Sequence, residues 1–319
     1  MNINPFNPYY NNKFYPTNSV GNIGVQKYTT PKQNYFSFQG KKDLLQQPKE
    51  KIFQKIQASI TKRNKLGEGV EASVYKIKGT EYCFRKPFFS GKFDTDFNLE
   101  MSVKDKINHV VAKLGNGCRI MNLIKGVPVA TIDEKNSEKL EHIEEIIEEF
   151  PVESYNKLIK QVTYAYKNGM LFDNHWANVI VNEEDKTFTA IDFYPMDKYD
   201  SQDICTPNPL CAIFPSVMNM KASFEQMNTC TKKLLKAGLE EMKPNYQPHI
   251  EPKEFDFNHF LSWLYSYKKI NMTQNDLTNL ITSFEKIIEL KTMELAGKTV
   301  KRNLAKEIEA TNKMIDMVF

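Results

Sequence analysis

Asp173-Asn174-His175-Trp176-Ala177-Asn178-Val179-Ile180-Val181, followed after a polar turn by Phe188-Thr189-Ala190-Ile191-Asp192-Phe193, holds the densest chemistry of this 319-residue chain. Val179 to Asn182 and Phe188 to Asp192 read as two short strands, β-branched and aromatic residues on either side of the charged turn Glu183-Glu184-Asp185-Lys186. The loop before them carries a carboxylate, Asp173, and an amide, Asn178. A carboxylate can accept a hydroxyl proton and an amide oxygen can bind a divalent cation, and a loop this short lets both face one ligand. The second strand runs through the apolar Ala190-Ile191 into Asp192, which sets a carboxylate at a sheet terminus where burial is costly without a cation. Taken singly, each Asp reads equally as a turn or cap residue.

Working outward toward the N-terminus, Lys65-Leu66-Gly67-Glu68-Gly69-Val70-Glu71-Ala72-Ser73-Val74-Tyr75-Lys76-Ile77-Lys78 predicts a strand, a glycine-bearing turn and a second strand. Gly79-Thr80 then turns into a third strand, Glu81 to Arg85, completing an antiparallel meander. Within it, Gly67-x-Gly69-x-x-Ala72-x-Val74 offers a turn that can lie against an anion, since glycines put no side chain before the backbone N–H groups and reach positive φ without strain. A plain two-glycine hairpin explains the same pattern. On the third strand, Tyr82-Cys83-Phe84-Arg85-Lys86-Pro87 supplies two cations which strand alternation sends to opposite faces. A helical pattern over 96–113 would carry Glu100 as their partner. Ile120 to Ile124 and Val127 to Ile132, separated by Lys125-Gly126, predict a hairpin. Helices are expected over Asp43 to Ile60, with Pro48 near the start or at a break, over Glu138 to Phe150, over Glu153 to Asn168, and through most of the chain from Phe224. The acidic stretch Glu138 to Glu149 reads as a solvated helix face, and Phe260 and Trp263 as core at helix spacing. Sheet first and helices after is an α+β order.

Charge and composition exclude several classes. The 43 basic and 39 acidic side chains leave a net charge of +4, of which three come from Lys13, Lys27 and Lys32 in a 40-residue segment without Asp or Glu. The remainder is near neutral, so neither nucleic acid nor anionic lipid is an expected partner. Residues 1–40, with eight Asn, four Pro, nine aromatics and no periodicity, read as a disordered tail. Cysteines at 83, 118, 205, 211 and 230 form no C-x-x-C, which argues against a zinc knuckle and a disulfide framework. No apolar run is long enough to span a membrane, and the N-terminus lacks a signal peptide's regions. The expected setting is cytoplasmic, or a host cell reached by a signal-peptide-independent route.

In this order, a glycine turn, a strand cation, a Glu, a D-x-x-x-x-N loop and an Asp-Phe after the next strand pair resemble the protein-kinase-like superfamily over residues 61–200. The resemblance implies a two-lobed α+β fold, with an antiparallel-sheet N-lobe over about 61–133 and a mainly helical C-lobe over about 134–319. It implies ATP and Mg²⁺ as cofactors. Asp173 would be the catalytic-loop carboxylate, with Asn178 and Asp192 on the metal. Leu66, Gly67, Gly69, Val74 and Cys83 would cover the nucleotide, and Arg85 or Lys86 would meet its phosphates with Glu100 holding the cation. His175 makes the loop similar also to the D-x-H-x-x-N of aminoglycoside and choline kinases, where it could touch the transferring phosphate. Departures accompany the match. Leu171-Phe172 replace the usual His-Arg, Tyr194-Pro195 follow Phe193 where a glycine is customary, Ala72 stands for the third glycine, and spacing from Cys83 puts Arg85 at the position of the usual Lys. The implied activity is transfer of the ATP γ-phosphoryl group to a protein hydroxyl, as in compact effector-like or atypical kinases. The alternatives are a small-molecule kinase and a pseudokinase acting as an interaction module.

Overall fold

Pro48, which lacks an N–H and so suits a helix start, caps the first helix, α1 (Lys49–Ser59). The computed structural model describes residues 43–69, 71–89, 96–128, 149–173, 178–195, 210, 224–248, 251–266 and 270–319. The expected tail, the expected helix over 138–150 save its last two residues, and His175 lie outside the described residues.

After α1 come β1 (Lys65–Glu68), β2 (Ala72–Lys76) and β3 (Tyr82–Pro87), the predicted meander. The chain continues through β4 (Phe97–Asn98), α2 (Val103–Ile107), β5 (Val110–Leu114) and β6 (Arg119–Asn122). These six strands form one antiparallel sheet in the order β1-β2-β3-β6-β5-β4. The expected helix over 96–113 is therefore corrected to strand, one short helix, and strand. Ser102 and Asp105 form a capping box that starts α2, but His109, at φ 59°, ends the helical path. Beyond it Val110, Ala112 and Leu114 are buried alternately, the period of a strand.

One face of this sheet carries Phe84 and Ile120, register partners on β3 and β6, with Tyr75 of β2 opposite Phe84. That face packs on Leu44, Ile52 and Ile56, so α1 belongs to the sheet's core. Burial of Phe84 alone is worth about 1.5–3 kcal/mol.

Among the described residues the expected hairpin over 120–132 is not formed. β6 sits between β3 and β5 in the large sheet, whereas β7 (Val127–Pro128) pairs with β9 (Val179–Asn182), which pairs in turn with β10 (Thr187–Ala190). Gly126, at φ 122°, makes the crossing, and any Cβ there would run into the backbone carbonyl of Val181.

The second core gathers on α3 (Val152–Lys167), β8 (Met170–Phe172), the β9-β10 pair, β11 (Phe193–Pro195), α4 (Phe224–Glu241), α5 (Phe257–Ser266), α6 (Gln274–Leu295) and α7 (Lys301–Val318). Tyr155, Phe188, Phe257, Phe260 and Phe284 fill it, with Trp263 packed at its edge as expected. The architecture is α+β, an antiparallel six-stranded sheet with several helices. Among the described residues no helix is long and apolar enough to cross a membrane.

Candidate active site

Asp173 follows β8 directly and Asp192 precedes β11, and these two strands pair antiparallel with Phe172 opposite Phe193. The Asp173 N–H donates to the Asp192 carbonyl at 3.1 Å, so the pairing brings residues 19 apart in sequence into contact. Asn178 closes the loop from the other end. Its Nδ2 donates to the Asp173 carbonyl at 3.1 Å and to Asp173 Oδ2 at 3.0 Å, and its own carbonyl accepts the Ile191 N–H at 2.8 Å. With the amide nitrogen engaged on Asp173, the amide oxygen is the atom left to accept or to ligate.

Asp192 sits at φ 64°, a left-handed conformation that is uncommon outside glycine and needs surrounding structure to hold it. Asn108, between α2 and β5, donates from Nδ2 to the Phe193 carbonyl at 2.8 Å and accepts the Phe193 N–H at 2.9 Å. Gln161 of α3 makes the same two-way pairing with Ala190, at 2.8 and 3.0 Å. His109 Nε2 lies 3.3 Å from the Ala190 carbonyl. Burial lowers the His109 pKa, partly offset by this bond, which favours a neutral imidazole. Asn108, His109 and Gln161 are positioning residues with no local sequence signature. A half-buried polar side chain near an element boundary is visible as a partner only once the elements are placed.

Burial raises the Asp192 pKa, the nearby Asp173 carboxylate and Glu71 add to the rise, and Arg85 opposes it. Arg85 therefore lies close enough for its charge to act on Asp192. Strand register agrees. Val74 is the partner of Arg85 on β2, and Cys83 lies two residues from Arg85 on the same face, whereas Lys86, opposite Ser73, shares its face with Phe84. Val74, Cys83 and Arg85 thus share one face of the sheet, and Lys86 lies on the other. Burial pushes the Cys83 thiol up to about 12, so it is a packing residue and no nucleophile at neutral pH.

The expected partner of Arg85 requires correction. Glu100 lies in the exposed segment between β4 and α2, not on a helix, and its N–H is bonded to Asn98 Oδ1 at 2.7 Å. The carboxylate that meets Arg85 is Glu71, in the glycine turn, with Oε2 3.2 Å from Nη2. The turn itself is closed by the Gly69 N–H donating to the Ala72 carbonyl at 3.0 Å, and Leu66 is half-exposed at an irregularity in the β1-β2 register. Gly67 and Gly69 have no atom within 4 Å of a would-be Cβ and neither needs positive φ. What they contribute is a bare backbone facing open space, not the left-handed conformation expected of them.

Among the described residues no group of three or more His, Cys, Asp or Glu is gathered to hold a metal ion. An oxygen pair such as Asn178 and Asp192 suits a hard divalent cation that keeps waters and takes its remaining ligands from substrate phosphates. The raised Asp192 pKa is what an uncompensated carboxylate in such a place shows.

No protein-family model matches the chain, and no curated protein matches it. What the site can do has to be argued from its own geometry.

Proposed function

We propose that this chain is an ATP-dependent phosphotransferase of protein-kinase-like fold that transfers the γ-phosphoryl group to a protein hydroxyl. The observation that carries the proposal is the joining of Asp173, Asn178 and Asp192 through one hydrogen-bonded loop, opposite a strand cation whose charge reaches Asp192. Supporting it, the glycine turn, the cation strand and the strands after α2 belong to one antiparallel sheet, and a mainly helical core accompanies the carboxylates.

In this reading Asp173 orients the acceptor hydroxyl and takes its proton, Arg85 binds phosphate oxygens through its planar fork, and Val74 and Cys83 face the base. Asn178 and Asp192 would hold magnesium, which when bound neutralises charge on the transferring phosphoryl group. The work left to the chain is alignment, and the Asn108 and Gln161 pairings on either side of Asp192 supply it.

The test is transfer from γ-labelled Mg-ATP, with and without cell lysate, by the wild type and by Asp173→Asn, Asn178→Ala and Asp192→Ala. Asp173→Asn is expected to keep nucleotide affinity while losing about a hundredfold or more in rate. Asn178→Ala and Asp192→Ala are expected to lose metal-dependent binding. Full activity in all three would sink the assignment. A second reading, a pseudokinase serving as an interaction module, is favoured by Arg85 standing on the cleft face instead of Lys. Nucleotide binding without transfer to any acceptor would select it.

A further inference from the structure

The Arg85–Glu71 ion pair occupies the place where the proposed function puts nucleotide phosphate. Arg85 is half-buried, its side chain 26% exposed, while the Glu71 side chain is 82% exposed and reaches in from the turn between β1 and β2. The Glu71 backbone is tied down. Its carbonyl accepts the Phe88 N–H at 2.9 Å, just past the end of β3, so the carboxylate hangs from a fixed point one strand away from its partner. Glu71 also contributes, with Asp173, to the negative field at Asp192. The charges acting on Asp192 are therefore two further carboxylates and one guanidinium.

We propose that Glu71 occupies Arg85 in the nucleotide-free protein and competes with phosphate for it, making this glutamate a determinant of how tightly the cleft takes a phosphate-bearing ligand. The inference rests on the reading of the cleft as a nucleotide site. An ion pair this open to water holds weakly. A polyphosphate brings several formal charges and oxygens matched to the guanidinium fork, so it displaces a single carboxylate from Arg85. Displaced, Glu71 remains anchored at the Phe88 N–H and so stays within the field of the bound phosphates, which it opposes. Both effects lower affinity, and both act only on ligands that carry phosphate.

The distinguishing experiment is calorimetric titration of the full chain, wild type and Glu71→Gln, with Mg-ATP and separately with adenosine. The amide keeps the size of the side chain and removes its charge, and because the position is exposed the fold is retained. The expected result is about two- to fivefold tighter Mg-ATP binding in Glu71→Gln, with the gain reduced at high salt and adenosine affinity the same in both proteins. Wild-type binding of Mg-ATP with no gain, or a loss, in the variant overturns the competition and leaves the nucleotide site standing; a loss would mean that Glu71 positions Arg85 for phosphate. An equal gain for adenosine also overturns it, since a loosened turn and not a freed cation would then be responsible. Failure of either protein to bind Mg-ATP removes this inference and the proposed function together.

Discussion

Asp192 shows in one residue how a site is held at the expense of stability. Its backbone is left-handed, and its carboxylate is partly buried beside Asp173 and within the field of Glu71, with only Arg85 in opposition. Asn tolerates the left-handed region at least as well as Asp and carries no charge. Asp192→Asn is therefore expected to raise the melting temperature at neutral pH, by about one or two degrees, while abolishing metal-dependent nucleotide binding. The sign of the pH dependence follows from the raised folded-state pKa. Below the ordinary Asp range the carboxyl is neutral folded and unfolded, and the variant gains nothing. The gain grows as pH rises from the ordinary Asp value to the raised folded one, where the wild type must ionise in place, and is complete above it. Thermal melts of both proteins across this range check it, and a variant that melts lower at neutral pH would show that Asp192 is structurally required.

At the level of elements, local pattern was legible where one period runs without interruption. The β1-β2-β3 meander, the β9-β10 pair with its charged turn, α3, and the helices from Phe224 onward lie where hydrophobic spacing puts them. It misled where partners are remote. Val103 to Leu114 contains enough apolar residues for a helix, and only the left-handed turn at His109 and the pairing of β5 with β6 divide it. Ile120 to Pro128 looks like a hairpin because Gly126 suits a turn, yet β7 finds its partner in β9, more than fifty residues on. The loop carboxylates and the Arg85 face could be read from spacing and alternation, while Glu71 as the partner could not, since a turn side chain has no fixed direction in sequence. Gly126 makes the crossing possible. Gly126→Ala would place a Cβ against the Val181 carbonyl at a φ that L-residues rarely adopt, and is expected to cost about 2–4 kcal/mol in urea unfolding. A cost near zero would mean that the β7-β9 pairing is dispensable.

Across the whole molecule the helical unit is tied together by a buried charge. Lys291, fully buried on α6, donates to the Lys243 and Tyr246 carbonyls just beyond the end of α4, both at 2.6 Å, and to Glu294 Oε2 at 2.8 Å. The Asn245 N–H donates to the other Glu294 oxygen at 2.8 Å, so one lysine and one glutamate satisfy the turn that ends α4. This matters because α4 packs against both α3 and α7, and a loosened α4 terminus is felt at each interface. Burial raises the Glu294 pKa, but the hydrogen bonds from Lys291 and Asn245 more than offset that and leave it lowered. A lowered folded-state pKa contributes stability that is present above the ordinary Glu value and is lost as pH falls through the folded value. Lys291→Met keeps the apolar stem yet strands two carbonyls and a carboxylate, and is expected to destabilise by about 3–5 kcal/mol at neutral pH. Because Glu294 would no longer gain a proton-sensitive partner, the deficit should narrow on acidification as the wild type loses the same bond. Urea unfolding at neutral and acid pH measures both quantities. A deficit that stays the same in acid would show that Lys291 works through its two carbonyl bonds alone.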